Sequence, residues 1–179
     1  MCLLAQSLGL GTVMLAATLS RPAFEKAMDV QDDEVMFTAS PIGHPAQKRS
    51  IRETLMRKGM KADTRASFES HFYLGAYGNP LRFEQAGEFA RALDMVRRAP
   101  SATNQQPWRV VLDGDTLHFF EAKTIQGEPD IQKVDLGIAL CHFDLTLQEE
   151  GIRGQFIQAD PNYVLPDHVE YILSYQKGE

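Results

Sequence analysis

The chain has 179 residues, which suits one domain, or one and a half small ones, with a buried core. Its 44% hydrophobic and 23% charged residues are typical of a soluble globular protein. The net charge of −6 argues against a general nucleic-acid binder, because such a protein needs a basic surface to neutralise phosphates. Cys2 and Cys141 lie far apart, without the spacing of a disulfide scaffold or a zinc site, so we expect a reducing, cytoplasmic setting.

The apolar N-terminal stretch, residues 1–20, allows two interpretations. It resembles the core of a signal peptide, which would make the protein an exported one. Against this, no Lys or Arg precedes the run, and polar residues or glycine interrupt it at Gln6, Ser7 and Gly9. We therefore predict a helix tail over 1–8, a glycine stop over 9–11 and a buried strand from Thr12 to Ala17, with no membrane contact.

Two further elements precede a proline-containing segment. A short helix is predicted over Arg21–Met28, with Ser20 as its N-cap and Pro22 in its first turn. A second strand is predicted over Glu34–Ala39. The chain is then extended towards Pro45, because a residue that precedes proline disfavours the helical conformation.

Residues 46–80 are predicted to form a connector that closes with turn residues. Its first part holds six of the chain's 18 positive charges, at Lys48, Arg49, Arg52, Arg57, Lys58 and Lys61. Such a run is most often a solvated helix face. The alternative is an anion site, which requires the charges to converge on one point.

Clearer periodicity follows the connector. Apolar residues at three- and four-residue spacing predict a helix over 83–98, which Pro100 ends. Two runs rich in Val, Leu and Phe, Trp108–Leu112 and Thr116–Phe120, flank Asp113-Gly114, and this pattern is a strong signal for a β-hairpin.

The most hydrophobic helix is predicted over 135–150, where the first half has little polar face and should lie in the middle of the fold. Gly151 stops it, Arg153–Gln158 is extended, and Val169–Tyr175 forms the last strand. His142 lies in this helix. A lone histidine there is either a core residue or a ligand, and the first role is the commoner one.

The most informative segment is the loop Ala99–Trp108, which joins the 83–98 helix to the first hairpin strand. A loop on such a base can present Ser and Asn side chains for binding, although Pro-Ser and Asn are also ordinary turn residues. The loop contains the chain's only Trp, directly after a proline.

An internal repeat links the two ends of the chain. LLAQSLGLGTVM, from Leu3 to Met14, can be laid over LTLQEEGIRGQF, from Leu145 to Phe156, with three identities. Both copies are predicted as helix, glycine stop and strand. Such a repeat implies two related halves, with the counterpart of residues 83–142 lying upstream of Met1.

Several motifs resemble those of a known family. A-P-S-A-T-N-Q-Q-P-W resembles the P-S-x-x-N-x-Q-P-W motif of FMN-dependent nitroreductases. V-D-L-G-I-A-L-C-H-F is similar to the central helix of their single-chain branch, in which two half-domains are fused into a pseudo-dimer. S-L-G-L-G-T and G-H-P-A-Q-K-R-S resemble segments of the first half of that branch. The resemblance covers nearly the whole chain in order.

The resemblance implies an α+β fold, with an antiparallel or mixed sheet, packed helices and two pseudo-symmetric halves, of which the first is incomplete. The implied parts are the end of the first half at 1–47, a basic connector at 48–82 and the second half at 83–179.

The resemblance also implies FMN as the cofactor, bound where the two halves meet. The implied cofactor-binding residues are Pro100, Ser101 and Asn104 of the second half, with Lys48, Arg49, Ala16 and Ala17 of the first. Lys48 and Arg49 would hold the phosphate, and the backbone near Ala16 and Ala17 would contact the ring. No catalytic residue and no metal is implied, because the flavin itself carries hydride from NAD(P)H to a nitroaromatic or quinone-like acceptor.

An alternative remains, because no R-R-S-x-R motif of the family occurs near the start of the chain. The chain is then an inactive or non-catalytic binding module that keeps the fold without the flavin. An incomplete first half also predicts an exposed apolar surface, and hence a homodimer or poor solubility.

Overall fold

The computed structural model describes residues 2–16, 19–48, 50–124 and 130–178. The chain divides into two compact units, Met1–Gly59 and Met60–Glu179, which are called unit 1 and unit 2. Within the described ranges, no helix is both long enough and apolar enough to cross a membrane.

Unit 1 contains three short helices and a small β-ladder. Its elements are α1 (Cys2–Ser7), β1 (Gly11–Thr12), α2 (Arg21–Met28), β2 (Ile42–Gly43) and α3 (Ile51–Gly59). The helices predicted over 1–8 and Arg21–Met28 are confirmed, although Ser20 makes no side-chain hydrogen bond at the start of α2. α3 lies in the predicted basic connector and buries no side chain, which favours a solvated helix face there.

The two strands predicted for unit 1 are wrong in extent. β1 and β2 pair over two residues only, and an isolated bridge joins Leu15 to Ala39. The predicted strand Thr12–Ala17 is thus reduced to its first residue plus this bridge, with Ala17 outside the described residues, and Glu34–Ala39 is not a strand. The reason is that strands gain stability from cross-strand pairs over a buried face. Ala5 is the one buried residue among those described in unit 1.

Unit 2 is built on a mixed, five-stranded sheet. Its strands and α-helices are β3 (Phe72–Leu74), α4 (Ala90–Arg98), β4 (Trp108–Asp113), β5 (Thr116–Ala122), α5 (Gln132–Glu150), β6 (Gly154–Ile157) and β7 (Val169–Lys177). The strand order is β3-β4-β5-β7-β6, and the β3–β4 pair is parallel while the others are antiparallel. This architecture confirms the predicted α+β fold class.

Two predicted elements of unit 2 need correction. The connector contains β3, a short sheet strand whose Phe72 is fully buried. The helix predicted over 83–98 is a 3₁₀ segment, Phe83–Phe89, followed by α4, because Gly87 adopts φ 55° and ψ −130° and interrupts the helical path. The β4–β5 hairpin is confirmed, but its connection lies one residue later than predicted, since Asp113 already pairs with Thr116.

α4 and α5 share the hydrophobic core of unit 2 with one face of the sheet. The largest fully buried side chains of this core are Trp108, Phe72, Phe119, Phe143, Leu81 and Leu93. α5 extends one turn earlier than predicted and buries one side rather than its whole circumference. Gly137, Cys141 and Leu145 of α5 are exposed, which corrects the expectation that this helix is buried in the middle of the fold. The loop that follows α4 therefore starts from a well-packed base.

The internal repeat has the same backbone form in both copies. α1 is followed by Gly9 at φ 73°, and α5 is followed by Gly151 at φ 72°. Each of these left-handed glycines ends a helix just before a strand, β1 in one copy and β6 in the other. The division of the chain into two pseudo-symmetric halves, with boundaries at 47 and 82, remains a prediction.

Two glycines, Gly137 within α5 and Gly151 directly after it, provide a matched test of how α5 ends. Gly151→Ala is expected to lower the free energy of unfolding by about 1 kcal/mol, because alanine is strained at φ 72° although nothing crowds its Cβ. Gly137→Ala lies within the helix, exposed and equally uncrowded, and is expected to raise it by roughly 0.5–1 kcal/mol. Urea unfolding of both variants measures the two changes, and the same sign for both would contradict the assignment.

Candidate functional site

The polar loop Ala99–Trp108 runs from the end of α4 to the start of β4 and contains a single 3₁₀ turn, Ala102–Asn104. Pro100 is exposed, and Ser101 and Asn104 are partly buried. Gln106 and Trp108 are buried at its C-terminal end. The loop thus has an accessible first half and an anchored second half.

Three non-glycine residues of the loop have left-handed backbone conformations. Thr103 lies at φ 48°, Asn104 at φ 59° and Gln106 at φ 52°. Such a conformation costs of order 1 kcal/mol or more per residue and is most unusual for a β-branched residue. The surrounding structure must hold this backbone, and strain held in this way is common at binding sites.

Ser101 provides part of that support. Its Oγ accepts a hydrogen bond of 2.9 Å from the backbone N–H of Gln106, and its carbonyl oxygen accepts one of 3.0 Å from the N–H of Asn104. The first of these bonds closes the loop across its neck. The serine hydroxyl still carries its own hydrogen, which it can donate to another group.

Asp135, in the first turn of α5, holds the first part of the loop through its carboxylate. Both of its carboxylate oxygens accept the backbone N–H of Ala102, at 3.0 and 3.1 Å. Burial raises the pKa of Asp135 to about 6; the Ala102 N–H opposes this rise, and the charges of Glu121 and Asp130 add to it. The loop is therefore tied to α5 by a carboxylate that is costly to keep ionised.

The buried residues His71 and Gln106 and the partly buried Arg109 form a layer that supports the end of the loop. Arg109 Nη1 lies 3.0 Å from His71 Nδ1, and His71 Nε2 lies 3.4 Å from Gln106 Oε1. Because a guanidinium can only donate, Nδ1 accepts and Nε2 carries the proton that faces Gln106. Burial and the nearby charge of Arg109 lower the pKa of His71 to about 4, so this histidine is neutral at physiological pH.

A segment that precedes the first 3₁₀ turn of unit 2 lies against the loop. We call residues 61–66 the strap. Asn104 Nδ2 donates to the carbonyl oxygens of Lys61 and Thr64, at 2.8 and 3.1 Å, and Arg65 Nη1 donates to Asn104 Oδ1 at 3.2 Å. At the end of the strap, the Ala66 N–H donates to Gln106 Oε1 at 3.0 Å.

The structure locates most of the predicted cofactor residues, in two separate groups. Pro100, Ser101 and Asn104 lie together on the loop in unit 2. Lys48 is exposed and Ala16 partly buried in unit 1. Arg49 and Ala17 lie outside the described residues. That these two groups converge on one flavin remains a prediction.

Two histidines of unit 2 have structural contacts that explain them. His142 is partly buried, and its Nδ1 donates to the carbonyl oxygen of Met95 on α4 at 3.2 Å, which favours a structural role over that of a ligand. His118 Nδ1 lies 2.7 Å from Ser174 Oγ, which resembles a nucleophile and base. Ser174, however, donates its one hydrogen to the carbonyl oxygen of Ala159, so His118 is the donor to Ser174 and cannot activate it.

A charged cluster lies beside the start of α5. Carboxylate oxygens of Glu121, Asp130 and Glu170 lie within 4.8 Å of one another. Two ammonium groups fill the cluster: Lys133 pairs with Glu121 and Glu170, and Lys123 pairs with Glu170 and Asp130. We interpret it as an ion-pair network, because a cation would have to displace both lysines.

Sequence reasoning missed the three side chains that hold the loop in shape, Asp135, His71 and Gln106. Gln106 stood inside the recognised motif, and Asp135 inside the recognised helix. His71 lies in the connector, where no sequence pattern distinguished it. Nothing in the local pattern showed that these polar side chains reach partners more than 30 residues away.

The mixed sheet, the two covering helices and the polar P-S-x-x-N loop define a nitroreductase-like fold. A family model described as "Putative TM nitroreductase" matches residues 1–147, and the chain belongs to this family. A crystal structure from Thermotoga maritima, titled as that of a putative nitroreductase, matches with a TM-score of 0.57 and 20% identity. The match covers 98% of this chain and 58% of that one. No curated protein matches the sequence.

The buried carboxylate of Asp135 makes a prediction about pH. Its folded-state pKa of about 6 lies above the unfolded value of about 3.9, so the folded state binds the proton more tightly. This stabilisation is complete below pH 4 and is lost as pH rises through 6. Asp135→Asn keeps an acceptor for Ala102 without the charge. In urea unfolding, the free energy of unfolding of the variant minus that of wild type should rise by roughly 1–3 kcal/mol between pH 4 and pH 7. An unchanged difference across that range would contradict the assignment.

Proposed function

We propose that the protein is an FMN-dependent oxidoreductase that uses NAD(P)H to reduce nitroaromatic or quinone-like acceptors. Membership of the nitroreductase family supports this. The single observation that carries it is the loop Pro100–Gln106, whose left-handed backbone is held by three buried side chains while Ser101 and Asn104 stay partly accessible. A strained backbone that several buried side chains hold in place is better explained by a role in binding than by a simple chain reversal.

The chemistry of the loop fits the neutral parts of a flavin. Ser101 can donate its hydroxyl hydrogen, and Asn104 Oδ1 keeps one lone pair beyond the bond from Arg65. The ribityl chain and the ring edge carry neutral donors and acceptors, so they require groups of this kind. We propose that Pro100, Ser101 and Asn104 hold this part of FMN.

The phosphate and the remaining ring contacts are assigned to unit 1. Lys48 and Arg49 are proposed to hold the phosphate, since a dianion favours charge-assisted donors, and Lys48 is exposed. The backbone near Ala16 and Ala17 is proposed to lie against the ring. Bound flavin would supply the hydride chemistry. The residues of the chain would bind and orient it, and no acid–base side chain is assigned.

The proposed partners are NAD(P)H and a small-molecule acceptor, with neither nucleic acid nor a membrane. The acidic net charge of −6 supports the exclusion of nucleic acid. The proposed compartment is the cytoplasm, in keeping with cysteines that lack a disulfide-type spacing.

Flavin uptake tests the proposed function. The purified protein, incubated with FMN and desalted, is expected to retain the visible absorbance of the flavin. The double variant Ser101→Ala/Asn104→Ala should bind FMN at least about tenfold more weakly, because two hydrogen-bonding groups are lost. The matched control makes the same two changes at Ser67 and Asn79, which are exposed residues of unit 2 outside the loop, and should bind like wild type.

Three outcomes of that experiment are informative. Retention of FMN by wild type and control, with loss in the loop variant, supports the proposal. Equal binding by all three proteins would contradict the assignment of the loop. No binding by wild type would favour the alternative, a module that keeps the fold without flavin.

We further propose that the protein forms a homodimer through an apolar surface of unit 1. Leu3, Leu4 and Leu8, on and directly after α1, are 51%, 64% and 65% exposed. Contiguous exposed apolar side chains favour association. Light scattering should show a dimer for wild type and a monomer for Leu4→Lys/Leu8→Lys. Ile51→Lys, at an exposed position on α3, is the control and should remain dimeric. Monomeric wild type would contradict the proposal.

A further inference from the structure

The strap and the loop meet at the amide of Asn104. We propose that the strap, residues 61–66, fixes this amide so that it meets a flavin only as a hydrogen-bond acceptor, and that Arg65 is the positioning residue. The inference rests on the flavin site proposed above and deepens it, because it states which kind of ligand atom Asn104 can bind.

The strap uses nearly all of the hydrogen-bonding capacity of the Asn104 amide. Its two N–H hydrogens go to the carbonyl oxygens of Lys61 and Thr64, at 2.8 and 3.1 Å. Its Oδ1 receives one hydrogen bond of 3.2 Å from Arg65 Nη1. An amide has two donor hydrogens and two acceptor lone pairs, so a single lone pair remains on Oδ1.

The orientation of the amide follows from its partners. The carbonyl oxygens of Lys61 and Thr64 can only accept, and the guanidinium of Arg65 can only donate. Turning the amide by 180° would bring oxygen against two carbonyls and nitrogen against a cation. The three contacts therefore select one orientation, with Oδ1 towards Arg65.

Arg65 joins the strap to the end of α4 as well as to Asn104. Its Nε and Nη2 donate to the carbonyl oxygen of Arg98, at 3.3 and 3.2 Å, and its Nη1 also donates within the strap, to Ala62 and Thr64. One planar side chain thus links the strap and the end of α4 to the side-chain amide of Asn104. Removing it should loosen the amide more than the loss of a single bond would suggest.

The strap lies at the surface of unit 2. None of its six residues is buried, and its contacts with the loop are polar. The Ala66 carbonyl accepts a bond of 3.3 Å from Arg97 Nη1, which fastens its far end. Segments held by exposed hydrogen bonds rather than apolar burial open at low cost, so the strap should respond strongly to the loss of Arg65.

A chemical selection follows from this arrangement. The free lone pair of Asn104 can face only a donor, such as the imide N–H of an oxidised flavin ring or a ribityl hydroxyl. A ring carbonyl oxygen or an unprotonated ring nitrogen would meet oxygen lone pairs and be repelled. Ser101, with a hydrogen to donate, would serve the acceptor atoms of the ligand instead.

The first experiment tests the strap without any ligand. In nuclear magnetic resonance spectra of the full chain, the side-chain amide protons of Asn104 should exchange with solvent at least about tenfold more slowly than in the unfolded chain. Arg65→Ala should abolish this protection. Arg91→Ala, which removes an arginine paired with Glu149 and Glu150 on the surface, is the control and should keep it. Unprotected amide protons in wild type would overturn the proposal.

The second experiment asks whether Arg65 acts through Asn104. Arg65→Ala should raise the dissociation constant for FMN about five- to tenfold in the wild-type background and have no further effect beside Asn104→Ala. A merely structural role would cost the same in both backgrounds, and that result, or no effect in either, would overturn the proposal. Arg65→Lys, which keeps the charge but lacks the planar fork, should show a smaller effect and provides the comparison if Arg65→Ala does not fold.

The two experiments separate the failure of this inference from failure of the proposed function. If wild type binds no FMN, the flavin site is wrong, and amide exchange still decides whether the strap holds Asn104. If wild type binds FMN but the two backgrounds respond equally, the flavin site stands and the positioning role of Arg65 is wrong.

Discussion

The structure of the candidate site depends on one constraint, the left-handed backbone at Thr103, Asn104 and Gln106. Such a backbone is unfavourable in isolation and persists only where other contacts determine it. The N–H of Ala102 is fixed by a buried carboxylate on α5, and Gln106 is held by a neutral, buried histidine and by the strap. These supports come from different parts of unit 2, so the shape of the loop depends on the fold around it as well as on its own Ser101.

The packing of α4 and α5 against the sheet makes those supports rigid. The loop begins at the end of α4, which packs through a stripe of buried side chains, and it ends at β4, whose first residue Trp108 is fully buried. α5 places its carboxylate under the first turn. A polar loop between two fixed ends, with a hydroxyl and an amide partly accessible, is the arrangement that a cofactor site requires. Family membership and this geometry both support the proposed function.

The sequence predicted the parts of unit 2 where local pattern and tertiary environment agree. α5, the β4–β5 hairpin and β7 follow from periodicity and turn residues, and the loop was recognised by its motif. Prediction was wrong where tertiary contacts, rather than the local sequence pattern, determine whether a segment forms a strand. The short strand β3 forms because it pairs with β4. The apolar run after Thr12 is not a strand, because the pairing between β1 and β2 extends over two residues only. The buried polar supports of the loop were missed, because a hydrogen bond across 30 or more residues leaves no periodic signal.

The central claim is that this loop is a binding site for the neutral part of a flavin, already shaped before the flavin arrives. A crystal structure of the protein grown with FMN tests it most directly. The account predicts the flavin against Ser101 and Asn104, with the three left-handed residues unchanged and the strap still bound to the Asn104 amide. Flavin bound elsewhere, or a loop that refolds to receive it, would contradict the claim.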